Sequence, residues 1–285
     1  MTDSKSHAII RWSRRPRFRR KERMQKFLIT TWLALLVATP CAADSPYRLQ
    51  ASREWAWLGT GVALNIGGLV LLGQVDPLTP DEVGRLDVND INSFDRSGIH
   101  PYSATRAGDA IVAVTYLLPL TFFVNDDTHG DWQTLMVMWT EATLLNLGID
   151  SIVKSTVQRT RPSAYDSEAP ADKTTSSSAR LSFYSGHTTG AAMNCFFMAR
   201  VFSEYLSSGR AKAAMWTGAA VLPVVVGYAR VSSGHHFRTD VITGYAVGAA
   251  IGWLVPELHR NPSQRLSLHP VSVLGDPGVG ISVAF

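Results

Sequence analysis

The stretch that decides the fold runs from Phe183 to Ala192 and reads FYSGHTTGAA. A Ser-Gly-His tripeptide stands directly before a run of small and apolar residues of helical length. Serine is a favoured helix N-cap residue, so Ser185 and His187 alone indicate a turn followed by a capped helix. Whether this histidine also has a chemical function depends on what the chain carries at fixed distances from it.

Six apolar segments of helical length lie downstream of the first 43 residues, and strand-like alternation is absent from their sequences. They predict an all-α six-helix bundle over residues 44–260. The tail, residues 261–285, alternates in hydropathy around a Gly-Asp-Pro-Gly sequence, so we expect a short extended segment that can form a hairpin. The six segments are Trp55–Val75, Ala107–Val124, Gln133–Ile152, His187–Tyr205, Ala213–Ala229 and Val241–Pro256.

Composition favours a membrane-embedded bundle over a water-soluble one. A span needs about 20 mostly apolar residues, and residues 57–75 provide nineteen without a formal charge. The third segment, however, contains Glu141 and Asp150, and a mean hydropathy of +0.04 is low for six spans. Charges inside a membrane are costly but frequently functional, so both alternatives stay open at this point.

The first 43 residues differ from the rest in charge. They hold ten Lys or Arg and two acidic residues, which is a net charge of +8. Because the whole chain has a net charge of +4, the remaining residues have a net charge of −4. That balance argues against a nucleic-acid partner. An apolar run, Phe27–Ala38, and small residues up to Ala43 follow the basic stretch and predict an export signal. Cys195 would then be the only cysteine, and no intramolecular disulfide is expected.

Charged and nucleophilic residues cluster at the ends of the apolar segments. One cluster follows the third segment, one opens the fourth, and one lies between the fifth and sixth. In an alternating bundle these ends lie on the same side, so we expect the clusters to converge. Their members are Lys154, Arg161, Ser185, Gly186, His187, Arg230, His236 and Asp240.

This set of side chains suits phosphate chemistry. Arginine binds two oxygens of a tetrahedral oxyanion and lysine acts as a point charge, while a Ser-Gly backbone at a helix N-terminus adds N–H donors. Two histidines provide a nucleophile and a general acid. Asp240 lies four residues after His236, so on one helix face its carboxylate would orient the imidazole. No spacing here requires a metal, so we predict EDTA-resistant chemistry without a cofactor.

The pattern Lys-x6-Arg-Pro, Ser-Gly-His and Arg-x5-His-x3-Asp resembles the signature of the type 2 phosphatidic acid phosphatase (PAP2) superfamily. That superfamily includes membrane lipid phosphatases, soluble bacterial acid phosphatases and vanadium haloperoxidases. The signature spans residues 154–240, and the segment layout extends the similarity over most of residues 50–257. The resemblance implies a phosphate site formed by Lys154, Arg161, Ser185, Gly186 and Arg230.

The resemblance also implies the catalytic roles. His236 would attack phosphorus and form a phosphohistidine, His187 would protonate the leaving oxygen, and Asp240 would orient His236. The chain departs from the family pattern at Tyr184, where proline is usual, and at Ala229, where serine is usual. Neither departure removes a group with a direct chemical role, so they bear on rate and substrate preference rather than on the reaction.

We therefore predict a metal-independent phosphatase that hydrolyses phosphate monoesters or pyrophosphates of lipids, such as phosphatidate, prenyl pyrophosphate or lipid A. The alternatives are a soluble periplasmic acid phosphatase acting on small organic phosphates, a vanadate-dependent peroxidase, and a non-catalytic anion-binding membrane protein. No oligomeric state is assigned.

The predicted location is the bacterial inner membrane, with the active site facing the periplasm. Export followed by six complete spans would instead place the catalytic face in the cytoplasm. The basic turn SSGRAK between the fourth and fifth segments favours a cytoplasmic position for that loop, and hence an outward catalytic face. A soluble periplasmic enzyme is the alternative.

Overall fold

The computed structural model describes residues 45–103, 107–261, 266–273 and 276–283, so the predicted export signal lies outside them. Within the described residues, six long helices follow the order of the six predicted segments and confirm the all-α bundle. They are α1 Ala51–Leu72, α2 Ala107–Leu117, α3 Trp132–Val157, α4 Gly186–Tyr205, α5 Gly209–Ser232 and α6 Arg238–Leu258.

Shorter elements join the long helices, and a hairpin forms the tail. Strand β1, Leu266–Val273, pairs antiparallel with β2, Asp276–Val283, as the alternating pattern indicates. The short α-helices are Pro80–Val83, Ser93–Arg96, Asp126–His129 and Ala171–Thr174, and the 3-10 helices are Val88–Asp90, Leu118–Phe123, Pro162–Tyr165 and Ser177–Arg180.

Helices α3 and α4 run antiparallel through the centre of the bundle. The Trp139 indole donates to the Asn194 side chain at 2.8 Å, and the Thr189 hydroxyl donates to the Asn146 side chain at 2.8 Å. α5 runs antiparallel to α4, because Trp216 bonds the hydroxyl of Ser203 near one end and Gly227 packs near Thr188 at the other. The ends of α3 and α5 therefore meet the start of α4 on one side, here called the catalytic end.

Three glycines bring α6 against α4. Gly244, Gly248 and Gly252 are spaced by four residues and therefore lie on one helix face. A Cβ added to Gly248 would lie 2.2 Å from the carbonyl oxygen of Thr189, and one added to Gly252 would lie 2.3 Å from that of Met193. Small residues at this spacing let two helix backbones approach closely. The approach places the start of α6 beside the start of α4.

Replacing Gly248 with alanine is expected to destabilise the bundle by about 1–3 kcal/mol, because the new methyl group meets backbone that cannot move aside. Thermal unfolding of the purified protein in detergent measures the effect. Gly218→Ala is the matched control, since a Cβ there meets nothing within 4 Å and alanine favours a helix. Equal melting temperatures for the two variants would contradict the close contact.

Three helices, α1, α5 and α6, are long and apolar enough to cross a membrane. They expose many large apolar side chains, including Leu69 at 67% and Val224 at 57%. Extended apolar surface of this kind is typical of contact with lipid or a partner protein. α4 is instead mostly buried within the bundle.

A buried ion cluster at the opposite end explains the charge in the third segment. His259 Nε2 lies 2.9 Å from a Glu54 oxygen and 3.1 Å from a Glu141 oxygen, and its Nδ1 donates to the carbonyl of Val255 at 2.7 Å. Burial lowers the pKa of His259, but its hydrogen bonds to the two carboxylates outweigh burial and raise it to about 9. Glu141 is thus enclosed in the bundle and does not count against a membrane location.

Candidate active site

Lys154 and Gly186 meet at the junction of α3 and α4. A Cβ added to Gly186 would lie 2.6 Å from Lys154 Nζ, so only glycine leaves room for the ammonium beside the start of α4. Lys154 also pairs with Asp150, one turn earlier, at 2.7 Å. The ammonium therefore lies near the N–H groups of the first turn of α4, where an anion is favoured.

Arg161 joins the two loops that enclose the site. Its guanidinium donates to the carbonyl oxygens of Ser178 at 2.8 Å, of Leu181 at 3.2 Å and of His235 at 3.2 Å. Burial, followed by the positive charge of Arg230, lowers the pKa of Arg161 to about 10. Two guanidinium groups are thus close enough to repel each other, and a bound anion would relieve that repulsion.

A carboxylate outside the sequence motifs connects Arg230 with His187. One oxygen of Asp109 lies 3.0 Å from Arg230 Nη1 and 2.9 Å from His187 Nε2. The Asp109 side chain is 53% exposed, so it lies at the open side of the site. Sequence reasoning missed Asp109, although it lies in the first turn of α2, which begins at the catalytic end like α4 and α6.

His236 is held through one of its two ring nitrogens. It is 1% exposed, and its Nδ1 lies 2.8 Å from the carbonyl oxygen of Ser182. A carbonyl oxygen only accepts hydrogen bonds, so Nδ1 carries the proton and Nε2 retains its lone pair. Burial lowers the pKa of His236 well below its usual value, and the nearby positive charges of Arg161 and Lys154 lower it further. Burial and the neighbouring cations therefore favour the neutral imidazole.

Asp240 acts on His236 differently from the sequence prediction. Its carboxylate lies 3.7 Å from His236 Nδ1, beyond hydrogen-bond distance. The carboxylate instead accepts from the Ser182 hydroxyl at 2.5 Å, the Phe237 amide at 2.9 Å and Arg159 at 2.6 Å. Asp240 is therefore connected to the imidazole through Ser182 rather than directly. Its carboxylate accepts from the Ser182 hydroxyl, and the carbonyl of Ser182 accepts from the imidazole.

Arg159 ties this arrangement to a distant part of the chain. It lies 2.7 Å from Asp95 and 2.6 Å from Asp240, and its guanidinium lies 4.1 Å from the centre of the Phe237 ring. Asp95 also accepts from the amide and the hydroxyl of Thr239. Arg159 is outside the motif spacing, and no local pattern indicates that Asp95 would meet it.

Ser185 organises the start of α4. Its amide donates to the carbonyl of Asp240 at 3.1 Å, and its hydroxyl oxygen accepts from the amide and hydroxyl of Thr188 at 3.4 Å and 3.0 Å. The side chain is fully buried. Both polar groups are therefore engaged within the protein, and Ser185 supports the site by capping α4. Tyr184 before it is also buried, at 2% exposure.

The predicted clusters thus converge at the catalytic end. The arrangement joins three cations, a helix N-terminus and a neutral buried histidine with a second, partly exposed histidine. Such a site can hold a phosphate group, attack its phosphorus and protonate an oxygen that leaves. Its members are Lys154, Arg161, Ser185, Gly186, His187, Arg230, His236 and Asp240.

Comparison with known proteins finds relatives among lipid phosphatases. The chain is 35% identical over 86 residues to the lipid A 4′-phosphatase of Porphyromonas gingivalis, which is 30% of this chain and 33% of that protein. It is 30% identical over 149 residues to phosphatidylglycerophosphatase B of Bacillus subtilis, which is 50% of this chain and 68% of that protein. The chain thus spans a third of the first relative and about two thirds of the second.

A solved structure and a family model complete the comparison. The crystal structure of a transmembrane PAP2-type phosphatidylglycerolphosphate phosphatase from Bacillus subtilis is 25% identical, with a TM-score of 0.43, over 70% of this chain and 94% of that one. The model of the PAP2 superfamily matches residues 135–263, which contain all three motif clusters. With this match and a 30% identical relative covered over 68% of its length, the chain belongs to the PAP2 superfamily.

Proposed function

We propose that the chain is a membrane phosphatase that releases phosphate from phosphorylated lipids through a phosphohistidine on His236. The observation that carries the proposal is the buried imidazole of His236, whose Nδ1 is fixed by the Ser182 carbonyl so that Nε2 keeps its lone pair. Burial and the neighbouring cations lower its pKa and so favour the neutral form. The names of the relatives, a lipid A 4′-phosphatase and a phosphatidylglycerophosphatase, support a lipid phosphate as the substrate.

In the first step, the lone pair of His236 Nε2 forms a bond to phosphorus while the bond from phosphorus to the leaving oxygen breaks. Burial, followed by the positive charge of Arg230, lowers the pKa of His187 to about 4, and the negative charges of the bound phosphate and of Asp109, 2.9 Å from its Nε2, oppose that shift. The protonated His187 gives its proton to that oxygen, so the lipid alcohol departs neutral. Lys154, Arg161 and Arg230 stabilise the negative charge of the phosphoryl oxygens during transfer. The product on the enzyme is a phosphohistidine.

In the second step, water attacks phosphorus and the bond between phosphorus and Nε2 breaks. His187, now neutral, removes a proton from the attacking water and is thereby ready for the next turnover. Inorganic phosphate leaves and His236 regains its lone pair. Every catalytic group in this cycle is a side chain or backbone group of the protein, and no step requires a metal.

The proposed orientation places the catalytic end in the periplasm. Arg210 is exposed at the start of α5, on the side of the bundle opposite the catalytic end, and positive residues favour the cytoplasmic side. Single cysteines introduced into a Cys41→Ser background test this in spheroplasts with an impermeant maleimide, since native Cys195 is buried. Glu168→Cys should be labelled and Ser207→Cys should not; the reverse result overturns the orientation.

Phosphate release by the purified protein in detergent tests the proposed function. The substrates are phosphatidate, lipid A and a prenyl pyrophosphate, with glycerol 3-phosphate as the chain-free comparison, each with and without EDTA. We expect EDTA-resistant release from at least one lipid phosphate. Absence of release from all of them refutes the function, and loss of release in EDTA refutes the metal-independent mechanism.

The pKa of His236 predicts where activity declines at low pH. Because burial and neighbouring cations lower that pKa, the neutral nucleophile persists below the usual histidine value of about 6.5. We therefore expect the acid limb of kcat/KM to have its midpoint below pH 6.5. Initial rates between about pH 4.5 and 8.5, two units on either side of the usual value, measure it. A midpoint above about 6.5 would mean that His236 is protonated more readily than its surroundings indicate.

A further inference from the structure

A groove between α5 and α6 opens next to the candidate active site. Its volume is about 510 Å³, within the range of about 300–1,000 Å³ typical of small-molecule sites. Val224, Tyr228 and Val231 line it from α5, and Ile242 and Tyr245 line it from α6. No step of the proposed reaction uses these side chains.

The walls of this groove are apolar and accessible from outside the bundle. Val224 and Ile242 are each 57% exposed, and Tyr228 is 75% exposed. Both helices that form the groove are long and apolar enough to cross a membrane. In a bilayer the groove therefore opens toward the hydrocarbon of the lipids, where an alkyl chain and not water is the natural occupant.

One end of the groove lies at the catalytic end, where α5 ends and α6 begins. Ser232 and Arg238 line it and flank the loop that carries His236. Gly227 also lines it, and a Cβ added there would lie 3.6 Å from the side chain of Thr188, the residue after His187. From Ser232, the groove follows α5 away from the site to Val224, a distance of about 12 Å at 1.5 Å per residue.

The charge distribution of the groove matches a lipid phosphate. Arg238 is the only Lys, Arg, Asp or Glu among the residues that line it, and it lies at the catalytic end. Its guanidinium is fixed by the hydroxyl of Ser97 at 2.8 Å and the carbonyl of Ser97 at 3.2 Å. A molecule with an anionic head at the site and an alkyl chain pointing along α5 would satisfy both ends.

We infer that this groove binds the hydrocarbon chain of the lipid phosphate substrate while its phosphate occupies the site at the catalytic end. The inference rests on the proposed phosphatase function. It assigns recognition of the lipid's hydrocarbon chain to α5 and α6, separate from the residues that perform the chemistry.

Filling the groove tests the inference through a specificity ratio. The ratio is kcat/KM for dipalmitoyl phosphatidate divided by kcat/KM for glycerol 3-phosphate, which has the same head group without chains. Val224→Trp and Ile242→Trp should each lower this ratio about tenfold, equivalent to about 1.4 kcal/mol or two methylene groups left unburied.

Two exposed positions on the same helices serve as controls. Val225 is 44% exposed beside Val224, and Leu254 is 45% exposed on α6; neither lines the groove. Val225→Trp and Leu254→Trp should keep the wild-type ratio. An unchanged ratio in the groove variants, or an equal fall in the controls, overturns the inference.

A photoreactive lipid gives a readout that does not depend on turnover. Phosphatidate with a diazirine near the start of an acyl chain should label peptides that contain 224–232 and 241–245, and unlabelled phosphatidate should compete. Equal labelling by diazirine phosphatidylcholine would show that bulk lipid fills the groove, and overturns the inference. If the wild type releases no phosphate but is labelled specifically by phosphatidate, the proposed function is wrong and the groove is still a binding site for the lipid's hydrocarbon chain.

Discussion

Replacing His236 with alanine is expected to reduce phosphate release roughly 10³- to 10⁶-fold, because the nucleophile is lost and only binding and electrostatic stabilisation remain. The side chain is enclosed, with its Nδ1 fixed at 2.8 Å from the Ser182 carbonyl, and alanine offers no nucleophilic atom in its place. Initial rates with phosphatidate give the loss. Rapid alkaline quenching with ³²P-labelled substrate should trap a phosphoprotein in the wild type and none in His236→Ala.

His235→Ala is the matched control for this variant. The neighbouring ring lies 2.9 Å from the Ser233 hydroxyl, and Arg161 contacts only the main-chain carbonyl of His235. Its replacement should therefore cost far less than that of His236. A labelled phosphoprotein in His236→Ala, or equal losses for the two histidines, would assign the nucleophile elsewhere.

The sequence was sufficient to predict the bundle and the convergence of its motifs. Alternating helices put the end of α3 and the start of α4 on one side, so Lys154 and Gly186 had to meet there. The helices extend beyond the apolar windows, as at Ala51 and Val157, because polar residues continue a helix where it leaves the apolar interior.

The contacts that fix the nucleophile were not predictable from spacing. The spacing of His236 and Asp240 indicates a direct contact, but Ser182 lies between them. Its hydroxyl donates to Asp240 and its carbonyl accepts from His236. Arg159 and Asp95 are 64 residues apart in sequence, and their pairing depends on how two loops fold over α6. Hydropathy and motif spacing contain no information on such loop contacts.

The loop that follows Arg161 illustrates the same limit. Its Ser- and Ala-rich composition indicates a flexible surface loop, yet within it lie three short helices: Pro162–Tyr165, Ala171–Thr174 and Ser177–Arg180. Ala164 and Ala179 are buried against Leu78 from another loop. Small side chains fit this packing, but composition alone also fits disorder.

The glycine stripe of α6 is a signal that the sequence does contain. Gly244, Gly248 and Gly252 recur every four residues on a helix, which is typical of close helix contact in membranes. It indicates a close helix contact along this face of α6, and the structure shows that the partner is α4. This contact places the start of α6 beside the start of α4.

Replacing His187 with alanine is expected to lower the rate of phosphatidate hydrolysis about 10²- to 10⁴-fold, the range for loss of a general acid. The effect should depend on the leaving group. An alkoxide needs a proton to depart, whereas p-nitrophenolate is stable without one. His187 Nε2 lies 2.9 Å from the half-exposed Asp109 and so faces the open side of the site, as a donor to the departing oxygen must.

Pre-steady-state kinetics with p-nitrophenyl phosphate separate the roles of the two histidines. In His187→Ala, p-nitrophenolate should appear in a burst near the wild-type rate, since its departure needs no acid. Turnover should then be slow and the phosphoprotein should accumulate, because the base for the attacking water is missing. His236→Ala should show no burst of product with p-nitrophenyl phosphate or with phosphatidate. A burst lost in both variants would leave His187 without a proton-transfer role and confine it to binding the phosphate.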